Sequence, residues 1–153
     1  MKREECEQSA GDVPANAGRT AGTLGLLRAH MSTFPDHWQS FMAQHSPPGH
    51  QVAIPEQDDV SGVGAEFEIL DQKQADSEAT EFYPGIAAQS QGYIPVGSCV
   101  LGTGDPYFIK ESDPPPGPLY RIYHDSCDAS GLQEGAVDIV LNSYTDIAKY
   151  TQT

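Results

Sequence analysis

The densest run of side chains able to do chemistry is His124-Asp125-Ser126-Cys127-Asp128. A metal site needs three or four converging ligands. Neighbours on a strand point to opposite faces, so His124 and Asp125 do not easily share an ion. The other histidines, at 30, 37, 45 and 50, show no ligand spacing. A nucleophilic cysteine needs an electropositive surrounding to lower its pKa. Cys127 instead lies between Asp125 and Asp128, which push it the wrong way. Gly102-Thr103-Gly104 has neither a following Lys-Ser/Thr nor a helix behind it, so it reads as a turn and not a phosphate loop. Asp58-Asp59 is an acidic pair with nothing to separate it from a solvated loop. No nucleophile, base and oxyanion set can be assembled, so no catalytic residue, metal ligand or cofactor site is expected.

These residues sit on a chain of 153 residues with 38% apolar content, 15 glycines and 12 prolines, which suits one domain with many turns. Residues 1–21 read as a flexible acidic tail and 22–151 as a single domain. No apolar run is long enough to span a membrane. The charged start, Met1-Lys2-Arg3-Glu4-Glu5, leads into no apolar stretch, so a cytoplasmic location is expected. Cys6, Cys99 and Cys127 read as free thiols, with a Cys99–Cys127 pair left open.

The net charge is −14. Residues 56–81 hold nine acids against Lys73, and 105–138 hold seven against Lys110 and Arg121. Such a field repels nucleic acid and anionic membrane, and it speeds encounter with a basic protein. Solubility alone is the competing explanation.

The hydrophobic periodicity gives helices over 23–31, with Leu24, Leu27 and Met31 in register, and over 35–45, with Trp38, Phe41 and Met42 on one face. Pro35 suits the first helical position. Strands are expected at 52–54, at 65–69 with Ala65, Phe67 and Ile69 inward, and at 92–96, 107–110 and 119–124. Pro95 fits only an edge or strand end. Residues 72–81 read as a short helix, and Ser143-Tyr144-Thr145-Asp146 as the capping box of a last one. Most of the seven tyrosines are assigned to the core. Helices, then strands, then a helix make the class α+β: an antiparallel-rich sheet of four to six strands carrying N-terminal helices and a C-terminal helix.

Four stretches, in order, resemble the SUKH superfamily of cell-wall-regulator-like and toxin-immunity proteins. They are Phe34-Pro35-Asp36-His37-Trp38-Gln39-Ser40-Phe41; Glu66-Phe67-Glu68-Ile69-Leu70; Tyr93-Ile94-Pro95-Val96-Gly97 with Gly104-Asp105-Pro106-Tyr107-Phe108-Ile109; and Tyr120-Arg121-Ile122-Tyr123-His124-Asp125 with Ser143-Tyr144-Thr145-Asp146-Ile147. His45-Ser46-Pro47-Pro48-Gly49 departs from the Asn-Gly-Gly usual in the family. The resemblance implies a non-catalytic domain, many of whose relatives bind and block a bacterial toxin, often a nuclease; a regulatory or scaffold module is the alternative. A monomer is assumed. Acids and aromatics select Glu66, Glu68, Asp71, Asp105, Tyr107, Asp113 and Asp125 as the expected partner-binding surface.

Overall fold

A computed structural model of the chain describes residues 34–100 and 104–152. The expected 1–21 tail, the 23–31 helix and the Gly102-Thr103 turn positions lie outside the described residues.

Helix α1 spans Asp36–Gln44 and buries Trp38, Phe41 and Met42, the face that the spacing predicts. Pro35 stands one position earlier than expected: it is the extended N-cap, and its carbonyl accepts from Trp38 and Gln39. Strand β1 is Gln51–Ile54 and β2 is Ala65–Ile69. Strict alternation puts Ala65, Phe67 and Ile69 inward on β2 and leaves Glu66 exposed. Helix α2, Gln72–Glu81, opens with a complete capping box. Asp71 accepts from the Gln74 N–H, and the Gln74 side chain accepts from the Asp71 N–H. A short helix α3, Gly85–Gln89, leads to β3, Tyr93–Cys99. β4 is Tyr107–Lys110 and β5 is Leu119–Ile122. A small hairpin pairs β6, Cys127–Asp128, with β7, Gly131–Leu132, before β8, Val137–Leu141.

The main sheet has the order β1-β2-β3-β4-β5-β8, with every neighbour antiparallel. The fold is therefore α+β, with a curled antiparallel sheet. The curl follows from where the connections land. Residues 55–64 leave the β1 edge and reach the β8 edge, where the Val60 N–H donates to the Val140 carbonyl at 2.8 Å. Residues 150–152 run back along β1, with Thr151 bridged to Val52. The β1 edge is thus covered by the chain itself, which protects it from pairing with another molecule, and the β8 edge is met at Val140.

Period-2 alternation divides the core between the two sheet faces. Tyr107, Ile109 and Leu119 join Trp38, Phe67, Val140 and Ile147 in the larger cluster. Phe108 and Ile122 join Ala88, Tyr93 and Ala136 in the smaller one.

Three expectations are corrected. Pro95 lies in a central strand, not at an edge. It is tolerated because β2 pairs no further than Gly97 and the β3–β4 register shifts between Pro95 and Gly97, so no ladder donor is lost there. The strand expected over 119–124 ends at Ile122, and His124–Ser126 forms a 3-10 turn. The last helix is also 3-10, over Tyr144–Lys149; its cap Ser143 accepts from Thr145 N–H. The capping box belongs to Asp71 instead. Helix α3, the β6–β7 hairpin and β8 have no counterpart among the elements expected from the sequence.

Candidate acidic interface

The strand register sorts the loops. β2 begins where β3 ends, β4 begins beside them, β5 ends opposite the start of β4, and β8 starts opposite the end of β5. Residues 55–64, Val100, 104–106 and 123–136 therefore gather at one end of the sheet. These three connections hold seven acids and no Lys or Arg. Exposed Glu56, Asp58, Asp125, Asp128 and Glu134 lie in them. So do the exposed apolar side chains Val60, Val63 and Val100, at 56%, 57% and 41% exposure. Whole-chain charge is concentrated on the same body. Residues 34–153 carry 18 of the 22 acids and four of the eight Lys and Arg, which accounts for the full −14.

Of the four cations of this body, only Arg121 meets an acid of the loop end, the buried Asp59, and the exposed acids there have no cation paired to them among the described ion pairs. Arg121 is buried, Lys149 faces Asp146 at 3.3 Å, Lys110 lies over the Tyr93 ring, and Lys73 sits on α2.

Arg121 organises the interface from beneath. Its place in β5 turns it to the larger-core face, between Tyr120 and Ile122 on the other. The guanidinium pairs with Asp59 at 3.1 Å, with side-chain exposures of 3% and 0%. It also donates to the Ser61 hydroxyl at 2.8 Å and to the Gly64 carbonyl at 2.6 Å, and it lies against the Tyr107 ring. Burial opposes its charge, and the Tyr107 hydroxyl and Asp59 carboxylate more than offset that, so the guanidinium stays ionised. Asp59 also accepts from the Ser61 N–H and hydroxyl and from the Gly64 N–H. Gly64 is at φ +88°, a left-handed conformation that favours glycine. The expected solvated acid pair is thus corrected at one member: Asp59 is buried, and Asp58 is exposed. The available signal was a lone Arg in an apolar strand, which calls for an acid, and an Asp-Val-Ser turn able to supply one.

The predicted partner residues separate. Glu66, Asp105 and Asp125 belong to the loop end, with Glu68 further along β2. Asp71 and Asp113 lie past the opposite strand ends. Asp71 serves as the α2 cap, and Asp113 accepts from the Tyr120 hydroxyl at 2.6 Å. Tyr107 is corrected outright: it is 2% exposed and stacked on Phe67 at 4.4 Å, because alternation in β4 turns it inward. It cannot touch a partner.

Asp105 holds His124 twice, accepting from its backbone N–H at 2.9 Å and meeting Nδ1 at 2.7 Å. This pins the 124–126 turn to the start of β4. Cys127 Sγ points to the His124 carbonyl at 3.4 Å, not to the ring. Burial, then Asp128 and Asp125, push the thiol above its ordinary pKa. Cys99 and Cys127 are not joined in a disulfide; they lie on β3 and on the separate hairpin. Among the described residues no His, Cys, Asp or Glu group is placed to hold a metal, and no helix is long and apolar enough to cross a membrane.

Comparison with family models, curated proteins and solved structures found no match to this chain.

Proposed function

We propose that the chain is a non-catalytic, cytoplasmic protein-binding domain of the immunity type, which binds a basic bacterial toxin domain and blocks it. The observation that carries this reading is the loop end: five exposed acids in three adjoining connections, no Lys or Arg among them, and exposed Val60, Val63 and Val100 in the same connections. A surface of one sign steers a cationic partner, and apolar groups at its centre supply the desolvated contact that charge alone does not. Nuclease toxins present cationic surfaces for phosphate, and an acidic inhibitor suits such a surface. The ordered resemblance to SUKH immunity proteins supports the same reading.

Co-expression provides the test. Cells making a basic toxin encoded beside this gene are expected to survive only when this chain is present. Equal killing in both cases overturns the reading. Recovery of a host protein, with no toxin bound, would instead point to a regulatory or scaffold module.

A further inference from the structure

We propose that Val60 and Val63 are the apolar anchors of the acidic interface, and that Arg121 is the residue that positions them. The partner patch is then an apolar centre ringed by Lys or Arg. This rests on the reading of the loop end as a site for a cationic partner, and it adds what that partner must carry besides charge.

Side chain and backbone are mismatched in the 59–64 loop. Val60 and Val63 are more than half exposed. Loop tips are normally loosely held. This loop is tightly held. Asp59 and Ser61, which flank Val60, and Gly64, which follows Val63, all bond to the same guanidinium. The Val60 N–H is fixed on β8, and the Gly62 N–H on the Asp59 carbonyl. A buried ion pair contributes little net stability compared with apolar packing of equal volume. What it secures here is a fixed geometry for two side chains that face outward. Fixing a contact group in advance removes its ordering cost on binding. Charge complementarity selects the occupant: Glu56 and Asp58 stand on the same loop, and the Glu56 stem lies against Gly64.

The test titrates the full chain with two peptides of equal positive charge. One is an oligolysine; the other is an amphipathic lysine–leucine peptide. The amphipathic peptide is expected to bind about ten-fold tighter, the gain of an apolar contact of modest size. Val60→Ser with Val63→Ser should remove that margin and leave oligolysine binding unchanged. Phe82→Ser, at an exposed aromatic just after α2, should keep it. Arg121→Lys, measured far below its melting temperature, should reduce the margin. A margin that survives loss of both valines, or that disappears with Phe82→Ser, overturns the anchor assignment. A folded Arg121→Lys protein with the full margin removes the positioning role. If the two peptides bind equally, only the apolar anchors fail; if neither binds, the cationic-partner reading fails with them.

Discussion

With both side chains shielded from solvent, Arg121 and Asp59 pay for each other's burial, and removal of either leaves an uncompensated charge or donor in the core. Asp59→Ala is expected to lower the unfolding free energy by about 3–5 kcal/mol, and adding Arg121→Met should recover part of the loss. Urea unfolding of the two single variants and the double variant measures this; additive losses would show that the pair is not coupled. Glu78 is a second residue with a defined sign. Burial raises its carboxyl pKa above the ordinary 4.5. The folded state therefore disfavours the ionised form, and stability falls as pH rises from 4.5 through the folded value. Glu78→Gln should stabilise the protein at pH 7, and the advantage should vanish below pH 4.5, where the carboxyl is protonated folded or unfolded. Melting temperatures at the two pH values decide it. An advantage that persists in acid assigns the effect to packing instead.

At the scale of elements, local signals and long-range ones diverge. α2 has a weakly apolar sequence with only Ala75 and Ala79 buried, so its start depends on the Asp71–Gln74 box. Asp71→Ala is expected to cost about 1 kcal/mol. The same variant should leave binding at the loop end unchanged, because Asp71 lies past the opposite end of β2. Chemical denaturation and peptide titration separate the two effects. Strand β8 shows why some elements escaped a reading of the sequence. Val137-Asp138-Ile139-Val140-Leu141 has no clean alternation, since the β5 register shifts opposite it and Ile139 remains exposed. α1 and β2 were legible because each buries one regular face. The final 3-10 turn places Tyr144 and Ile147 in the core.

Over the whole molecule, a net charge of −14 on residues 34–153 makes the folded state self-repelling. Added salt screens that repulsion within about 10 Å at 0.1 M. The melting temperature is expected to rise as NaCl increases from about 0.02 to 0.5 M, a range over which the screening length falls several-fold. Association with a cationic protein should slow over the same range. A melting temperature that falls with salt would mean that attractive pairs such as Lys149–Asp146 outweigh the repulsion. The curled sheet concentrates this charge by folding three acidic connections to one end, while residues 150–152 cover the β1 edge and Val60 meets β8 at Val140.

The sequence by itself determined the α+β class, the apolar faces of α1 and β2, the meander β3-β4-β5 and the acidic character of the body. Each of these depends on composition or on periodicity within one segment, and local sterics and burial enforce both. Only the tertiary structure decided which acids are neighbours, that Tyr107 is core, that Pro95 fits a central strand, and that Asp59 meets Arg121 across 62 positions. These depend on strand order, register and curl, which are set by many weak contacts between segments distant in the chain. The site therefore emerged only in part from the sequence. Its charge was legible in the composition, whereas its position and its two valine anchors depend on which loops the sheet brings together.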